Sequence, residues 1–212
     1  MQVSETFARL TPDLESGLAA LSLPTSLGTP ALAYLSLLSH WNQAYNLTAI
    51  RTPAEMVRLH LLDSFSVHPY LHGDRVLDVG TGAGLPGIPL ALANPERDFT
   101  LLDSLGKKTR FLQQAVNHLE LENVTVVQSR IEDFQPSLGF STVISRAFAS
   151  LQDMVHHSRH CLARGGHLLA MKGQYPHAEL AALGPEVEVL SVEQLEVPGL
   201  SAERHLVIMA AR

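Results

Sequence analysis

The chain has 212 residues, a formal net charge of −6 and a single cysteine, Cys161. Its length fits one domain, or one domain with a small appendage, and allows a sizeable core without disulfides. A lone cysteine excludes a disulfide framework and a multi-cysteine zinc site within the chain. The acidic balance excludes a generic polyanion binder, although a local basic face could still serve a specific RNA site.

A stretch from Ser16 to Ile50 contains no Asp, Glu, Lys or Arg. Its cleanest apolar part, Ala31 to Trp41, is too short to span a bilayer and is interpreted as a buried helix. The N-terminus also lacks the positive and apolar regions of a signal peptide. We therefore expect a cytoplasmic protein without a membrane segment.

Residues 1–73 are predicted to form a helical N-terminal extension. Apolar residues at spacings of three and four predict helices over residues 6–21, 32–41 and 56–65. The third helix is expected to begin with a capping box at residues 52–55, with proline at its first helical position.

Residues 74–212 alternate strands with helices, which indicates a mostly parallel sheet with both faces covered. The predicted strands cover residues 75–79, 99–103, 124–127, 141–145 and 167–171. The predicted helices cover residues 86–93, 107–119 and 151–162. The tail differs, because residues 186–196 and 205–210 are β-rich with no long helix between them, and they predict an antiparallel pair at the sheet edge. The fold class is therefore α/β, with a doubly wound, mostly parallel, seven-stranded Rossmann-like sheet.

A glycine-rich loop follows the first predicted strand, within residues 78–87. Glycines at this position let the backbone approach a ligand at the carboxyl end of the sheet. Gly82, Gly84 and Gly87 also fit the spacing of a dinucleotide-binding loop, which alone is weak evidence for a nicotinamide-dependent oxidoreductase.

Two acidic residues favour S-adenosylmethionine over a dinucleotide. Asp78 lies just before the glycines, where it would repel a pyrophosphate but suits a cationic group or an ordered water network. Asp103 ends the second strand, where a carboxylate can accept both hydroxyls of a ribose. S-Adenosylmethionine has a ribose, an ammonium and a sulfonium, and no phosphate. The alternatives are structural: a loop cap for Asp78, and an N-cap of the helix beginning at Lys107 for Asp103.

Several segments along nearly the whole chain resemble the bacterial 16S ribosomal RNA guanine-N7 methyltransferase family, RsmG, formerly GidB. The matching segments are residues 41–48, 60–64, 76–89, 102–104 with 107–108, 145–148, 171–173 and 203–207. The resemblance implies a class I S-adenosylmethionine-dependent methyltransferase with a helical extension. It also implies methyl transfer to N7 of guanine 527 in the 530 loop of 16S rRNA. The low positive charge of the chain favours the 30S subunit or an assembly intermediate as the substrate, with naked rRNA as the alternative.

The family's cofactor-binding residues fall on known positions of this sequence. The resemblance assigns Gly80 and Leu85 to the glycine loop, Ile131 and Glu132 to the adenine, and Arg146 to the cofactor pocket. Together with the acidic and glycine residues discussed above, the predicted cofactor-binding set is Asp78, Gly80, Gly82, Gly84, Leu85, Asp103, Ile131, Glu132 and Arg146.

Methylation of guanine N7 needs no general base, because N7 carries a lone pair and no proton. Positioning is then the main catalytic task. Arg146 is the first candidate for a contact to guanine O6 and Lys172 the second, while Phe148 could stack on the base. The alternatives are that Phe148 belongs to the core and that Arg146 pairs with Glu132. Amine methyltransferases often carry Asn/Asp-Pro-Pro-aromatic after the fourth strand, and its absence here agrees with an N7 target.

The densest basic cluster is Lys107, Lys108 and Arg110, which could contact rRNA phosphates together with Lys172 and Arg204. The alternative is a solvated helix end. The cluster of three histidines and Cys161 at residues 156–161 lacks further ligands, so no metal is expected.

Two further functions remain open besides the nicotinamide enzyme. A small-molecule methyltransferase would use the same cofactor, and a non-catalytic ribosome-binding module would bind RNA without it.

Overall fold

The computed structural model describes residues 3–212. Residues 1 and 2 of the predicted extension lie outside the described residues. The helices are α1 Glu5–Ala8, α2 Thr11–Ala20, α3 Gly28–Tyr45, α4 Pro53–Met56, α5 Asp63–Phe65, α6 Gly87–Ala93, α7 Gly106–Leu119, α8 Leu151–Ser158 and α9 His177–Ala181. A π-helical segment, Val57–Leu62, joins α4 to α5. Single 3-10 turns lie at Thr25–Leu27, His68–Tyr70, Ile131–Asp133 and Arg159–Cys161.

The strands are β1 Arg75–Val79, β2 Asp98–Asp103, β3 Val124–Gln128, β4 Phe140–Ser145, β5 Leu162–Lys172, β6 Val187–Gln194 and β7 His205–Ala211. They form a seven-stranded sheet in the order β3-β2-β1-β4-β5-β7-β6. The first five strands pair in parallel, whereas β7 runs antiparallel to both β5 and β6. The predicted doubly wound sheet with an antiparallel edge pair is confirmed.

The strand order reverses between β1 and β4, which are neighbours in the sheet. In open parallel sheets, the crevice outside the carboxyl ends of two such strands is where ligands bind. The glycine loop after β1 and Arg146 after β4 therefore flank one crevice.

The predicted helix over residues 6–21 is interrupted in the structure. The chain leaves helical geometry at Leu10, and α2 begins at Thr11 with Pro12 in its first turn. Proline has no N–H and its ring clashes with a preceding helical carbonyl, so a helix tolerates it only at its start. Pro12 therefore separates α1 from α2.

The start of α4 also differs from the prediction. Pro53 does occupy the first turn, but the Thr52 side chain makes no capping hydrogen bond, so the predicted capping box is wrong. The predicted helix over residues 151–162 ends at Ser158, because Leu162 already pairs with Phe140 at the start of β5.

The charge-free stretch is explained by α3, which lies inside the protein. Leu32, Tyr34, Leu35 and Leu38 on this helix are at most 1% exposed. They belong to one apolar cluster that also contains side chains of the sheet and of α6 and α7, such as Phe111. Extension and sheet therefore share one core. Among residues 3–212, no helix is long and apolar enough to cross a membrane.

Candidate cofactor and substrate site

A cavity of about 380 Å³ opens at the carboxyl ends of β1, β2, β3 and β4. Gly80, Asp103, Ile131 and Glu132 line it, together with Phe148. These are residues predicted from the sequence, and the parallel topology gathers them because they lie at or just after the ends of β1, β2, β3 and β4. The cavity combines apolar walls with a carboxylate at the end of β2, as expected for an adenosine site.

Asp103 is held in place by donors of the protein. Its Oδ2 accepts hydrogen bonds from the Gly82 amide at 3.0 Å and from Lys108 Nζ at 3.2 Å, and its Oδ1 accepts from the Leu105 amide at 3.0 Å. The N-cap of α7 is Leu105, so Asp103 does not cap that helix. An ionised carboxylate has about four acceptor positions, so one remains, and displacement of Lys108 would release another.

Asp78 lies beneath the glycine loop. It lines neither the first cavity nor the second one, which lies between the loop and the extension. Its Oδ2 accepts from the Thr81 hydroxyl at 2.6 Å and from the Gly87 amide at 2.8 Å, while Oδ1 is buried without a partner among the described residues. Burial raises the pKa of Asp78 to about 6, although the bond from Thr81 opposes the shift. The structure supports the alternative interpretation, in which Asp78 caps the loop.

The extension also holds the glycine loop. The Tyr34 hydroxyl of α3 donates to the Ala83 carbonyl at 2.7 Å, and both residues are buried. Burial raises the pKa of Tyr34 above its ordinary value, so the hydroxyl remains a donor. Gly84, by contrast, packs against Ile88 and Leu112 and lines neither cavity, so its role is structural.

A second cavity of about 360 Å³ lies between the glycine loop and the extension. It is lined from the core by Gly82, Leu85 and Arg146 and from the extension by Thr48 and His60. Two residues, Gly80 and Ala147, line both cavities. Seven of the nine predicted cofactor residues therefore line one or both of two adjoining spaces, whereas Asp78 and Gly84 line neither.

Gly80 is essential to this junction on two grounds. Its φ of +66° lies in the left-handed region that favours glycine. In addition, a Cβ at this position would lie 2.8 Å from the Ala147 Cβ and would force one of them to shift.

Arg146 is fixed by the extension and not by Glu132. Its Nη1 lies 3.2 Å from Asp63 Oδ2 and 3.4 Å from the Leu59 carbonyl. The other oxygen of the buried Asp63 accepts from Arg204 Nε at 3.0 Å. The alternative pairing with Glu132 is wrong, since Glu132 lies 3.3 Å from His157.

The predicted basic residues divide into two groups. Lys107 and Arg110 are exposed on α7 and fit an RNA-facing role. Lys108 points to Asp103 in the first cavity, while Lys172 pairs with Glu179 at 2.7 Å. With Arg204 held by Asp63, the five predicted RNA contacts do not form one free basic face.

Phe148 is partly buried, lines the first cavity and packs against the core cluster beneath the sheet. Its predicted stacking on the target base stays a prediction. Within residues 3–212, no group of three or more His, Cys, Asp or Glu could hold a metal. His160, one of the clustered histidines, instead contacts the Phe134 carbonyl at 3.0 Å.

Comparison with known proteins decides the family. A family model described as rRNA small subunit methyltransferase G matches residues 29–207. The chain belongs to this family. Ribosomal RNA small subunit methyltransferase G of Photobacterium profundum is 53% identical over 181 residues, which cover 85% of this chain and 88% of the relative. The Escherichia coli O1:K1 protein of the same name is 52% identical over 193 residues, covering 91% and 93%.

Solved structures agree with this fold. A ribosomal protein L11 methylase from Lactobacillus delbrueckii subsp. bulgaricus has a TM-score of 0.54 at 13% identity, covering 71% of this chain and 77% of that one. The protein is thus a methyltransferase of the class I fold. The family excludes the nicotinamide and non-catalytic alternatives, and it implies use of S-adenosylmethionine.

Sequence reasoning placed His60 among the residues that could extend the basic face, and it assigned no role to Asn42, Thr48, Asp63 or Tyr34. A usable signal was present for three of them, because Tyr34, Asn42 and Thr48 are polar residues within the charge-free stretch. A polar side chain in a buried segment needs a hydrogen-bond partner, so such residues indicate specific contacts with other parts of the chain. Nothing in the sequence pattern showed that Asp63 would hold two arginines.

Proposed function

We propose that the protein transfers the methyl group of S-adenosylmethionine to N7 of guanine 527 in the 530 loop of 16S rRNA. The family supports the ribosomal target. The observation that carries the choice of N7 is the lack of a proton acceptor at the junction of the two cavities in the described structure.

The candidates for a general base fail on simple grounds. Gly80 and Ala147 have no titratable side chain. Asp103 accepts three hydrogen bonds, and its one remaining position is the one proposed for the ribose. Glu132, which also lines the first cavity, pairs with His157 at 3.3 Å.

Burial, and then the charge of Arg146, lower the pKa of His60 to about 4, so it is a poor base at neutral pH. The site offers no group to accept a proton from a methylated nitrogen such as an exocyclic amine. Guanine N7 carries no proton and so needs no such group.

The residues of the first cavity fit the adenosine part of the cofactor. Asp103 can accept from the ribose, and Ile131, Glu132 and Phe148 can enclose the adenine. When bound, S-adenosylmethionine supplies an electrophilic methyl on its sulfonium, and transfer to N7 leaves S-adenosylhomocysteine and a positively charged guanine. Lys108 would have to share Asp103 with the ribose or move away.

Both candidates for the contact to guanine O6 are engaged in ion pairs with carboxylates. Lys172 is neutralised by Glu179, and Arg146 lines the same cavity as the glycine loop. Arg146 is therefore better placed for the cofactor than for the base, and Phe148 remains the predicted stacking partner of the guanine.

The test is methyl transfer from labelled S-adenosylmethionine into 30S subunits that lack the modification, followed by mapping of the labelled nucleotide. We expect label on N7 of guanine 527. Label on an exocyclic amine, or on another nucleotide, would contradict the proposal. Binding of the cofactor without any incorporation would point instead to a small-molecule substrate.

The substrate is proposed to be the 30S subunit or an assembly intermediate, because the chain has a net charge of −6. A folded ribonucleoprotein surface would supply part of the recognition. Stripped 16S rRNA should then be methylated much more slowly than subunits, and equal rates would contradict this.

A further inference from the structure

We infer that Thr48 of the helical extension contacts the zwitterionic amino-acid end of S-adenosylmethionine in the second cavity. This inference deepens the proposed function and rests on its cofactor. It does not depend on which nucleotide is methylated.

The two cavities have the arrangement that a two-ended ligand requires. They adjoin at Gly80 and Ala147, and the first has the carboxylate and apolar walls suited to adenosine. A molecule that extends from the first cavity past Gly80 enters the second. S-Adenosylmethionine is an adenosine joined through sulfur to an amino acid, so its charged amino-acid end would lie there.

The lining of the second cavity suits a carboxylate. Arg146 uses only Nη1 on Asp63 and Leu59, which leaves the Nε and Nη2 hydrogens of its guanidinium available. No Asp or Glu lines this cavity in the described structure. The carboxylate that pairs with Arg146, Asp63, is shared with Arg204, so this group of three side chains keeps a net positive charge. An anionic group in the cavity would therefore meet a guanidinium, and such charge-assisted bonds are strong.

The Thr48 hydroxyl has one hydrogen-bonding position left for a ligand. A hydroxyl has one donor and two acceptor positions. The Ile50 amide donates to it at 3.2 Å, and His60 Nε2 lies 3.0 Å away. If His60 Nε2 carries the proton, it donates to the hydroxyl and the hydroxyl hydrogen stays free, which suits a carboxylate. If Nε2 is unprotonated, the hydroxyl donates to it and a lone pair stays free, which suits an ammonium.

Thr48 is also fixed more firmly than a residue in an irregular segment normally is. The buried Asn42 side chain accepts from the Thr48 amide at 2.9 Å and donates to the Thr48 carbonyl at 3.0 Å. Asn42 and His60 are thus positioning residues, which hold the hydroxyl from two helical segments. Such support from surrounding groups is typical of a binding residue that must not move.

The experiment measures binding of the intact protein by calorimetry, without RNA. The ligands are S-adenosylmethionine, decarboxylated S-adenosylmethionine and 5′-methylthioadenosine, which lacks the whole amino-acid end. We expect Thr48→Val to raise the Kd for S-adenosylmethionine about tenfold, the size of one charge-assisted hydrogen bond. Its Kd for 5′-methylthioadenosine should stay within about twofold of the wild type, because that ligand lacks the group that Thr48 would bind.

Two variants serve as matched controls. Thr48→Ser keeps the hydroxyl and should bind S-adenosylmethionine nearly as the wild type does. Thr52→Val removes an exposed hydroxyl that makes no capping bond, and it should bind all three ligands normally. The decarboxylated ligand identifies the contacted group: an unchanged Kd in Thr48→Val assigns the carboxylate, and a raised Kd assigns the ammonium.

Two other results would overturn the inference. Equal losses of affinity for S-adenosylmethionine and 5′-methylthioadenosine would show that Thr48→Val merely distorts the site. Unchanged binding of all ligands, with transfer to 30S subunits lost, would place Thr48 against the RNA. Failure of the wild type to methylate guanine 527 would contradict the proposed function while leaving the binding result intact.

Discussion

Asp78 is a buried carboxyl whose ionisation opposes folding. Burial raises the pKa of Asp78 from 3.8 to about 6, so the folded protein binds this proton more tightly than the unfolded chain does. The resulting contribution to the unfolding free energy is complete below about pH 3.8 and is lost as the pH rises through about 6. Asp78→Asn keeps an acceptor for the Gly87 amide and removes the charge. Between pH 5 and pH 7.5 the wild type should lose on the order of 1 kcal/mol of unfolding free energy relative to this variant.

Urea unfolding of both proteins at the two pH values measures this difference. Asp74→Asn, at an exposed carboxyl, is the matched control and should not reproduce it. A gap between wild type and Asp78→Asn that is the same at both pH values would contradict the prediction.

Tyr34 provides a second test, because its hydroxyl is the donor that reaches the glycine loop from the extension. Tyr34→Phe leaves the Ala83 carbonyl without that donor in a buried place, which should lower the unfolding free energy by about 1–3 kcal/mol. Since Ala83 lines the second cavity, the Kd for S-adenosylmethionine should also rise. Tyr45→Phe, at a side chain that is 39% exposed, should change neither quantity. Normal cofactor affinity in Tyr34→Phe would show that the loop does not depend on the extension.

The individual residues show where sequence reasoning ends. Asp103 and Gly80 could be located because strand ends and glycine loops have fixed places in a parallel sheet. The partners of Lys108 and Arg204 could not, since a long basic side chain reaches whichever carboxylate folding brings near. Asp63 is 141 positions from Arg204, and only the folded chain joins them.

One turn of α7 carries both exposed basic side chains and a lysine that is paired within the site. Lys107 and Arg110 face solvent, whereas Lys108 faces Asp103. The double variant Lys107→Ala/Arg110→Ala should weaken binding to 30S subunits and reduce the salt slope by roughly 1 for each phosphate that is no longer neutralised. Lys108→Ala should leave that slope unchanged.

Affinity for subunits at several salt concentrations tests this assignment. Arg164→Ala is the matched control, because Arg164 is exposed near the start of β5, at the opposite end of the sheet from the site. If Arg164→Ala lowered the slope as much as the double variant, the basic residues of α7 would have no special role.

Helices and strands were largely predictable because their apolar periods differ. The strands from β1 to β5 and the long helices follow this rule. The break before α2 depends on the place that Pro12 takes within its helix, and the π-helical segment Val57–Leu62 has no sequence period of its own. The short α9 was not predicted, since five residues are too few to show a period.

The shared core predicts that the extension and the sheet unfold together. Trp41, the sole tryptophan, packs against this core from α3, and its ring lies 5.7 Å from Phe111 of α7. Its fluorescence therefore reports on the extension, whereas far-ultraviolet circular dichroism reports on all the helices and strands. We expect the two signals to give the same urea midpoint, as in two-state unfolding. Separate midpoints would show that the extension is an independent unit.

The charges of the chain are also divided in space. Residues from 174 onward contain six acidic side chains against Arg204 and Arg212, and Arg204 is already held by Asp63. The exposed basic residues lie on α7, which connects β2 to β3. These two strands form one edge of the sheet, whereas β6 and β7 of the acidic tail form the other edge. An acidic molecule with this distribution should approach RNA by its α7 side.

The close approach of Gly80 and Ala147 has a consequence for the group that the enzyme can transfer. In the binding mode proposed above, the sulfur of the cofactor would lie beside these two small residues, which line both cavities. Even one added carbon at Gly80 would lie 2.8 Å from the Ala147 Cβ. Synthetic donors with an allyl or propargyl group on sulfur should therefore react much more slowly than the natural one, as rates of label incorporation would show. Ala147→Gly should reduce this difference in rate, because it widens the space between residues 80 and 147. Such a variant could then attach chemical tags to ribosomes.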